Sequence, residues 1–421
     1  MRSATTGSVR IVVIGAGVSG LTAARELQRD GHDVVVIEAR DRIGGRTWTA
    51  ELAGAPADLG GSWIHGPFQN PVVDVVAEAG LRWHNDGAWG GASLVHVEGV
   101  GPLDGPDTAT AITAQFDFDP GEAVAALGRD GSYDEGVAWF LDDRGHSGTV
   151  RRVVDSRIRY GDAGLNIAGP PDRVSLAGVA AYVEHAGGNV AIIGGYRMLV
   201  DHLAGGLDIR TGEPVREIAH GPDGVVVTTE AGRYEADQVV VTLPLGVLRA
   251  GAVAFSPSLT AVEQAADRLA MGNLEKVVLR FDRRCWPDNV RRLALVSDHR
   301  RFTDWVDITA HSGVPTLVAF HNPTLVEYGT DRISEALEAL RTMVGEVLDP
   351  IASYATDWTN DPFSRGSYSY IPVGGSADDM RALAGRQSPQ VVLAGEHTVP
   401  EYFGTVHGAF LSGRRAAEEF R

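Results

Sequence analysis

One lysine is the most informative residue that could take part in acid–base chemistry. Lys276 is the sole lysine among 37 lysine and arginine residues. A chain this rich in arginine uses arginine wherever a fixed positive charge suffices, whereas a lysine ammonium is compact and can lose its proton. Lys276 begins an apolar, strand-like run that ends at Phe281, so its side chain could point into a core or a cleft. The residue type suits a buried proton or water relay, and the alternative is an ordinary surface lysine.

A glycine-rich turn near the N-terminus has the spacing of a dinucleotide site. Residues 15–20 read Gly-Ala-Gly-Val-Ser-Gly. Gly15 would permit a tight bend, Gly17 would let a pyrophosphate approach the backbone, and Gly20 would let a helix pack on a strand. Glu38 follows 23 residues after Gly15, where a carboxylate would bind a ribose hydroxyl. Its charge argues against NADP but leaves NAD and FAD open.

The elements that must hold this turn are a strand, a helix and a second strand. Residues 9–14 and 34–38 are apolar runs, and residues 19–30 carry apolar side chains at helical spacing. This order predicts a β-α-β unit in which the turn lies at the helix N-terminus, where free N–H groups bind phosphate.

A second glycine-rich segment follows Glu38 directly. Residues 39–47 read Ala-Arg-Asp-Arg-Ile-Gly-Gly-Arg-Thr. The pair Gly44 and Gly45 allows close backbone approach, and the flanking arginines supply a cation for a second phosphate contact. This segment favours FAD over NAD, and the alternative is a charged surface loop.

Composition and charge restrict the class of protein. With 421 residues, 44% of them hydrophobic and 22% charged, the chain is an ordinary globular sequence long enough for more than one domain. A net charge of −18 argues against nucleic acid or an anionic membrane as partner and favours cationic ligands, although it also simply keeps proteins soluble. Cys285 is the only cysteine, so no intrachain disulfide or cysteine metal site can form. Without a signal peptide core or membrane span, we expect a cytoplasmic protein with no metal centre.

Weaker patterns indicate the remaining elements. Residues 100–175, rich in Gly, Asp and Pro, predict only helices and loops of a second domain. Elsewhere we expect helices at 178–187 and 329–349, a hairpin of strands 224–229 and 237–242 with its turn at 231–232, and a strand at 391–393 followed by a helix from about Val406.

Five segments, in their order along the chain, resemble the flavin amine oxidases, the family of monoamine oxidases, polyamine oxidases and flavin histone demethylases. The segments are residues 15–20 with Glu38, 42–46, 60–66, the stretch around Lys276, and 395–398 with 404–409. The resemblance implies an α/β fold of the amine oxidase and glutathione reductase type. A Rossmann-like FAD-binding domain would be assembled from residues 1–80, 192–252 and 386–421, and an α+β substrate-binding domain from residues 81–191 and 253–385.

The resemblance also implies which residues bind FAD. The diphosphate and adenosine side would lie against Gly15, Gly17, Gly20, Glu38, Ala39, Arg40, Gly44, Gly45 and Arg46. The backbone of Val215 would meet the adenine, and Glu396 would lie near the diphosphate and ribitol. The flavin ring would lie along Gly61, Ser62 and Trp63, near Trp358, with the N–H groups of Thr405 and Val406 at its carbonyl edge.

On the substrate face, Lys276 would contact the flavin N5 through a water, and Tyr368 would be the aromatic side chain that faces the flavin. Monoamine oxidases have a covalently attached cysteine where this chain has Ser367, which implies non-covalent FAD. They also have a second tyrosine where this chain has Thr405, so the aromatic cage is incomplete. His65 matches a histidine of the polyamine oxidase channel, either as a proton acceptor near neutral pH or as a structural side chain.

The implied activity is oxidation of a primary or secondary amine, with a polyamine-like substrate favoured. A hydride would pass to flavin N5, the imine would hydrolyse to aldehyde and amine, and O2 would leave as H2O2. The partners would be a cationic amine and O2, and the protein a monomer or homodimer.

The sequence leaves two other activities open and disfavours several more. An L-amino acid (tryptophan-type) oxidase would need a cation for the substrate carboxylate, and a monoamine oxidase would lack part of its cage. Desaturase or protoporphyrinogen oxidase types, a non-catalytic FAD or NAD module, and a demethylase are disfavoured. The last is disfavoured because the chain begins at the first strand and carries no long charged helical insertion.

Overall fold

We describe residues 8–85, 92–103 and 105–421 of the chain from a computed structural model. The strands are β1 Arg10–Ile14, β2 Asp33–Ile37, β3 Thr49–Leu52, β4 Ala55–Asp58, β5 Ile64–His65, β6 Trp83–Asn85, β7 Ala92–Val97, β8 Gly101–Pro102, β9 Asn189–Ile192, β10 Asp208–Arg210, β11 Val215–Gly221, β12 Gly224–Thr229, β13 Arg233–Ala236, β14 Gln238–Val241, β15 Ala254–Ser256, β16 Ala270–Met271, β17 Glu275–Arg280, β18 Val290–Val296, β19 Asp304–Asp307, β20 Thr316–His321, β21 Ala352–Ala355, β22 Ser369–Tyr370, β23 Gly385–Ser388 and β24 Val391–Leu393.

The helices are α1 Val18–Arg29, α2 Pro71–Glu78, α3 Gly105–Phe116, α4 Pro120–Leu127, α5 Tyr133–Asp143, α6 Gly148–Ser156, α7 Leu176–Ala180, α8 Arg197–Ala204, α9 Leu245–Arg249, α10 Thr260–Asp267, α11 Thr309–Ser312, α12 Arg332–Val344, α13 Ala377–Ala382 and α14 Val406–Glu418. A π-helix spans Arg157–Ile167, and a 3₁₀ turn spans Glu396–Thr398.

The predicted β-α-β unit forms the centre of a mainly parallel sheet. Within the described residues, this sheet has six strands in the order β10-β2-β1-β14-β24-β23, and only β23 runs antiparallel to its neighbour. Residues of β1 and β14 are buried on both faces, as expected for a parallel sheet covered by helices. The mainly parallel sheet built around a β-α-β unit is the predicted α/β arrangement. Its strands come from distant parts of the chain, and the domain boundaries stay a prediction.

The predicted hairpin at 224–242 was wrong in its second strand. β12 pairs with β13, whereas β14 pairs in parallel with β1 and β24. The backbone N–H of Thr229 donates to Gly232 at 2.9 Å, which closes the turn early. The apolar residues 239–241 are almost fully buried, which is typical of a central parallel strand.

A second sheet carries Lys276. Among the described residues, seven strands lie in the order β21-β17-β20-β19-β18-β7-β8. Lys276 on β17 lies opposite Phe320 on β20, and Phe320 lies opposite Asp304 on β19. Directly opposed residues of antiparallel strands project from the same face. Lys276, Phe320 and Asp304 therefore form one row across a single face of this sheet.

The other face of the second sheet is covered by α12. The predicted helix at 329–349 exists but is shorter: Asp331 caps it with a side-chain hydrogen bond to the N–H of Ser334, and it ends before Gly345. Ala336 and Leu340 pack with buried β17 side chains that alternate with Lys276. This packing turns the Lys276 side chain away from the helix.

The predicted helix at 178–187 was wrong beyond Ala180. Helix α7 ends there, and the chain continues without helical structure to β9. Gly187 and Gly188 have φ values of 108° and 70°, which are incompatible with a continuing helix. Within residues 8–85, 92–103 and 105–421, no helix has both the length and the apolar character needed to span a bilayer.

Candidate functional site

A cavity of about 1150 Å³ is lined by the carboxyl ends of β1, β2 and β14 and by the Lys276 face of the second sheet. Ligands of open α/β sheets bind at the carboxyl ends of the strands. The volume exceeds the roughly 300–1000 Å³ of an ordinary ligand pocket, so it can hold a large cofactor together with a substrate. In the described part of the chain, no cluster of three or more His, Cys, Asp or Glu side chains could hold a metal ion.

Every residue predicted for the site except Gly20 lines this cavity. Gly20 instead packs behind the turn, because a Cβ atom there would lie 1.9 Å from the carbonyl oxygen of Gly15. Gly15 itself has φ of 101°, which a side chain would strain. Gly20 therefore shapes the turn from behind, while Gly15 and the other predicted residues line the space that a ligand would occupy.

The glycine-rich turn forms an open anion cradle. A Cβ atom at Gly17 would meet no atom within 4 Å, so the missing side chain leaves room on the cavity side. Helix α1 begins at Val18 without a side-chain cap, and the N–H groups of its first turn are available to an anion. Gly44 pairs with Gly17 as an isolated parallel bridge, and Gly45 lies beside it. The two predicted glycine segments therefore form one surface.

Glu38 is held in a fixed orientation at the end of β2. Its carboxylate accepts hydrogen bonds from the N–H of Ala16 at 2.8 Å and of Arg40 at 2.9 Å. The Arg40 guanidinium pairs with Asp361 at 2.7 Å. Val215 begins β11 nearby on the cavity wall. A carboxylate fixed at this strand end can accept a hydrogen bond from a ribose hydroxyl, and this role of Glu38 stays a prediction.

Arg46, which is partly buried, and Glu396, which is buried, form an ion pair on the wall of the cavity. Their side chains are 2.9 Å apart, and Glu396 also accepts from Ser369 Oγ at 2.6 Å and the N–H of Gly404 at 2.8 Å. Burial alone would raise the pKa of Glu396, but Arg46 and these hydrogen bonds outweigh it and hold the pKa below its usual value. Glu396 is thus an anion that anchors Arg46 rather than a proton donor.

Lys276 is buried and its ammonium is fully hydrogen-bonded. Nζ donates to the carbonyl oxygens of Gly60 at 2.5 Å and Asp58 at 3.2 Å, and to Ser62 Oγ at 2.6 Å. Nζ lies 5.5 Å from the centre of the Trp63 ring. Burial lowers the pKa of Lys276 to about 8, although the Asp58 charge opposes this. The lone lysine can therefore exchange a proton near neutral pH.

His65 lies on the cavity wall with one ring nitrogen engaged. Nδ1 is 2.9 Å from Asn189 Oδ1, and the backbone carbonyl accepts from Asn70. The ring is accessible through the cavity yet deeply surrounded by protein, and this burial lowers its pKa, which the Asn189 hydrogen bond partly offsets. A neutral ring that donates from Nδ1 keeps a lone pair on Nε2, so His65 can accept a proton.

This chain has Ser367 and Thr405 at the two positions where monoamine oxidases have a cysteine and a tyrosine, and both residues have structural roles here. Thr405 caps α14: its Oγ1 accepts from the N–H of Gly408 at 2.9 Å and donates to the Tyr402 carbonyl. Ser367 Oγ donates to the Gly272 carbonyl at 3.0 Å and accepts from the N–H of Leu274. Both hydroxyls therefore stabilise the backbone around the cavity.

The remaining predicted residues also lie along the cavity wall. Tyr368 donates its hydroxyl to the Leu165 carbonyl, and burial raises its pKa well above the usual value. Trp358 donates to the Leu59 carbonyl at 3.2 Å. A Cβ atom at Gly61 would lie 3.1 Å from the Val406 side chain, so these two residues from distant segments meet.

Several cavity residues were not found from the sequence. The rings of Tyr182 and Phe403 meet edge to face at 5.7 Å, and burial raises the pKa of Tyr182. Arg157 and Arg292 both bond the Asp304 carboxylate, Arg292 at 3.2 Å. Further additions to the cavity wall include Gln115, Phe118, Asp119, Glu184 and His185. Most of these residues lie in residues 85–190. The aromatic and charged residues at 182–185 are a local sequence pattern there that could have indicated a cavity.

The residues fit a flavin dinucleotide on grounds of shape and donor chemistry. The space in front of Gly17, the uncapped N-terminus of α1 and the fixed Glu38 carboxylate match a pyrophosphate and a ribose. Gly61, Ser62, Trp63 and Lys276 line the same cavity as the aromatic side chains Tyr182, Tyr368 and Phe403.

Comparison with known proteins agrees with this geometry. The sequence profile of the family described as flavin containing amine oxidoreductase matches residues 18–98 and 125–420. Polyamine oxidase 4 of Oryza sativa subsp. japonica is 30% identical over 98% of this chain and 88% of its own length. Lysine-specific histone demethylase 1 homolog 3 of the same plant is 33% identical over 97% of this chain but 53% of its own length. A structure of putrescine oxidase, wild type bound to putrescine, has a TM-score of 0.81 at 22% identity, with 98% of each chain covered. The chain therefore belongs to the flavin-containing amine oxidoreductases, near the polyamine oxidase branch, and is an amine oxidase with FAD as its cofactor.

Proposed function

We propose that the protein oxidises a primary or secondary amine, with a polyamine-like substrate favoured, and releases an imine that hydrolyses to an aldehyde and an amine. The observation that carries this proposal is the burial of the sole lysine, beside Trp63, on the wall of a cavity that also includes the glycine-rich turn and several aromatic side chains. Bound FAD would supply the redox chemistry, accepting a hydride at N5 from the carbon beside the amine nitrogen and passing the electrons to O2 to give H2O2.

The chain's own residues prepare the amine. An amine must be neutral for its nitrogen lone pair to assist loss of the hydride. His65, neutral because burial lowers its pKa, accepts the ammonium proton of the substrate. The aromatic side chains of Tyr368, Tyr182 and Phe403 exclude water and orient the alkyl chain. Lys276 lines the same cavity, and it would exchange one of its three present hydrogen bonds for a water at the cofactor edge and move the proton there.

A polyamine-like substrate is favoured by charge and by relatives. Asp119 and Glu184 are exposed carboxylates on the cavity wall, and the chain carries a net charge of −18. Both attract a ligand with several ammonium groups. The relative from Oryza sativa is named a polyamine oxidase. We propose polyamines before arylalkylamines because Thr405 leaves the aromatic cage incomplete.

An L-amino acid is the second candidate substrate. Arg157 and Arg292 line the cavity, and either could bind a substrate carboxylate. Both guanidiniums already bond Asp304, so the carboxylate would compete with a buried partner. This competition places amino acids after amines.

Oxygen consumption tests the proposed reaction. With FAD-loaded protein and a polyamine, we expect one H2O2 for each O2 consumed, measured with an oxygen electrode and a peroxidase-coupled dye, together with an equivalent of aldehyde. Peroxide formed at the same rate without any amine would contradict amine oxidation.

Replacing His65 with glutamine should lower kcat/KM for the amine by about a hundredfold near neutral pH, the usual contribution of a positioned base. Because the variant depends on amine that is already neutral in solution, its kcat/KM should keep rising as the pH approaches the pKa of the free amine. His299→Gln, an exposed histidine, is the matched control. A parallel pH profile for His65→Gln and wild type would rule out His65 as the acceptor.

Non-covalent attachment of FAD follows from Ser367 at the position of the monoamine oxidase cysteine. Acid precipitation of the purified protein should release all of the flavin into the supernatant, measured by its absorbance. Flavin that stays in the washed pellet would show a covalent bond elsewhere and contradict this assignment.

A further inference from the structure

A second, small cavity lies behind Ser62. Its volume is about 20 Å³, and its wall includes Asp58, Ser62 and His311 together with Ile192, Ile308 and Val318. One water needs roughly 10–15 Å³ of such volume and two to four polar partners. The small cavity meets both conditions, because a hydroxyl, a carboxylate and an imidazole border it.

Ser62 connects this cavity to Lys276. Ser62 lines both the small cavity and the large one. Its Oγ accepts from Lys276 Nζ at 2.6 Å, while its own proton can go to the Gly60 carbonyl at 3.1 Å. A hydroxyl that accepts on one side and donates on the other can pass a proton. Rotation of the Ser62 proton toward the small cavity would turn it from Gly60 to a water.

Asp58 is the proton acceptor at the far side. Its Oδ1 accepts from Thr49 Oγ1 and from the N–H of Tyr196 at 3.1 Å. Within residues 8–85, 92–103 and 105–421, no group donates a hydrogen bond to Oδ2. Burial raises the pKa of Asp58 to about 6, although Thr49 and the Lys276 charge oppose this. Arg197 is the other cation that acts on this carboxyl group.

His311 borders the cavity from α11. Burial lowers its pKa to about 4, with contributions from His84 and Lys276 and an opposing one from Asp307. His311 is therefore neutral near pH 7. A neutral imidazole can orient a water without trapping the proton.

We propose that one water in the small cavity joins Ser62, Asp58 and His311, and that Asp58 is the positioning residue that sets the protonation of Lys276 through this water. The proposal rests on the function given above, because it deepens the role of Lys276 in amine oxidation. The proton leaves Lys276 for Ser62 Oγ as the Ser62 proton moves to the water and a water proton moves to Asp58. No bond to carbon changes and no electron is transferred.

The side on which the proton rests follows from the pKa values of Lys276 and Asp58. Because the pKa of Lys276 is about 8 and that of Asp58 about 6, the proton prefers Lys276 by about a hundredfold. Asp58 therefore holds the proton transiently and does not store it. The route lets Lys276 exchange protons on the side away from the large cavity, even when a substrate covers the aromatic side chains of that cavity.

The sole lysine makes a direct test possible. Protein grown with ¹³Cε-lysine gives one lysine signal per chain, so NMR titration of FAD-loaded protein reports the pKa of Lys276 alone. Asp58→Asn removes the negative charge, and the midpoint should fall by about one pH unit or more. Val318→Ile fills the cavity with one methylene and should also lower the midpoint, because the displaced water no longer solvates the charged groups. Val296→Ile, on the same sheet but outside the small cavity, should not.

Crystal structures of the wild type and the variants give a second measurement, the presence or absence of the ordered water. We expect one ordered water within hydrogen-bond distance of Ser62 Oγ and Asp58 in the wild type, and none in Val318→Ile. An empty cavity in the wild type, or a Lys276 midpoint unchanged in both Asp58→Asn and Val318→Ile, would overturn the proposal. The titration needs no turnover. A shifted midpoint in a protein that oxidises no amine would therefore refute the proposed function alone, and amine oxidation with an unchanged midpoint would refute the relay alone.

Discussion

Replacing Lys276 with methionine should slow turnover with an amine by about a hundredfold or more, the range of a lost acid–base group. Methionine keeps the length of the side chain but removes the ammonium that donates to Gly60, Asp58 and Ser62. Methionine leaves these three acceptors without their donor, which lowers stability by roughly 1–3 kcal/mol for each unsatisfied group, so circular dichroism and flavin content are measured alongside the rates. A folded, FAD-loaded variant that turns over slowly shows a kinetic loss. Stopped-flow absorbance at the flavin band would show whether reduction by amine or reoxidation by O2 is the slowed step.

Lys276→Arg is the matched control because it keeps the charge and removes the ability to lose a proton. If proton exchange at Lys276 matters, this variant should be slow as well. Wild-type rates in Lys276→Arg would show that a fixed charge suffices, and wild-type rates in Lys276→Met would remove Lys276 from the mechanism.

Replacing Gly17 with valine should strongly reduce FAD retention while leaving the protein folded. The backbone of Gly17 has φ of −76° and ψ of 175°, which any residue can adopt, and a Cβ atom would meet nothing within 4 Å. The new side chain would occupy the space expected for the pyrophosphate. Loss of charge-assisted hydrogen bonds at roughly 1.5–3 kcal/mol each predicts affinity lower by at least about tenfold to a hundredfold.

The measurement is the ratio of flavin to protein absorbance after gel filtration, with far-UV circular dichroism to check the fold. Gly232→Val is the control, because Gly232 also has open space and lies in the β12–β13 turn. Gly20→Ala should behave differently: its Cβ would lie 1.9 Å from the Gly15 carbonyl, so it should disturb folding. Full FAD occupancy in Gly17→Val would show that the cofactor does not lie at this turn.

The cofactor side of the cavity could be predicted because its information is local. The strand, the glycine turn and the helix at residues 10–29 follow one another without interruption, and Glu38 comes at a fixed distance. Lys276 was found by composition and by the apolar run after it. The partner of β12 was predicted wrongly because pairing is a non-local choice: both β13 and β14 have strand-like patterns, and only the Thr229 turn separates them.

The substrate side could not be predicted in the same way. Arg157 lies on a π-helix, whose side chains follow neither the strand nor the α-helix period. Tyr182 lies in an irregular segment after α7, and its partner Phe403 comes from near the other end of the chain. Such contacts arise only from tertiary packing. The role of Thr405 could also not be predicted from the sequence. In the structure its hydroxyl caps the N-terminus of α14, which gives a threonine at this position a structural role.

Anaerobic mixing of the FAD-loaded protein with a panel of amines tests the central claim most directly. The panel contains spermine, spermidine, putrescine, N-acetylated polyamines, phenethylamine and L-amino acids, and the readout is loss of the flavin absorbance band. We predict rapid bleaching by a polyamine and slow or no bleaching by the others. Bleaching by an amino acid alone would move the substrate to the second candidate and direct attention to Arg157. No bleaching by any compound would contradict the proposed amine chemistry.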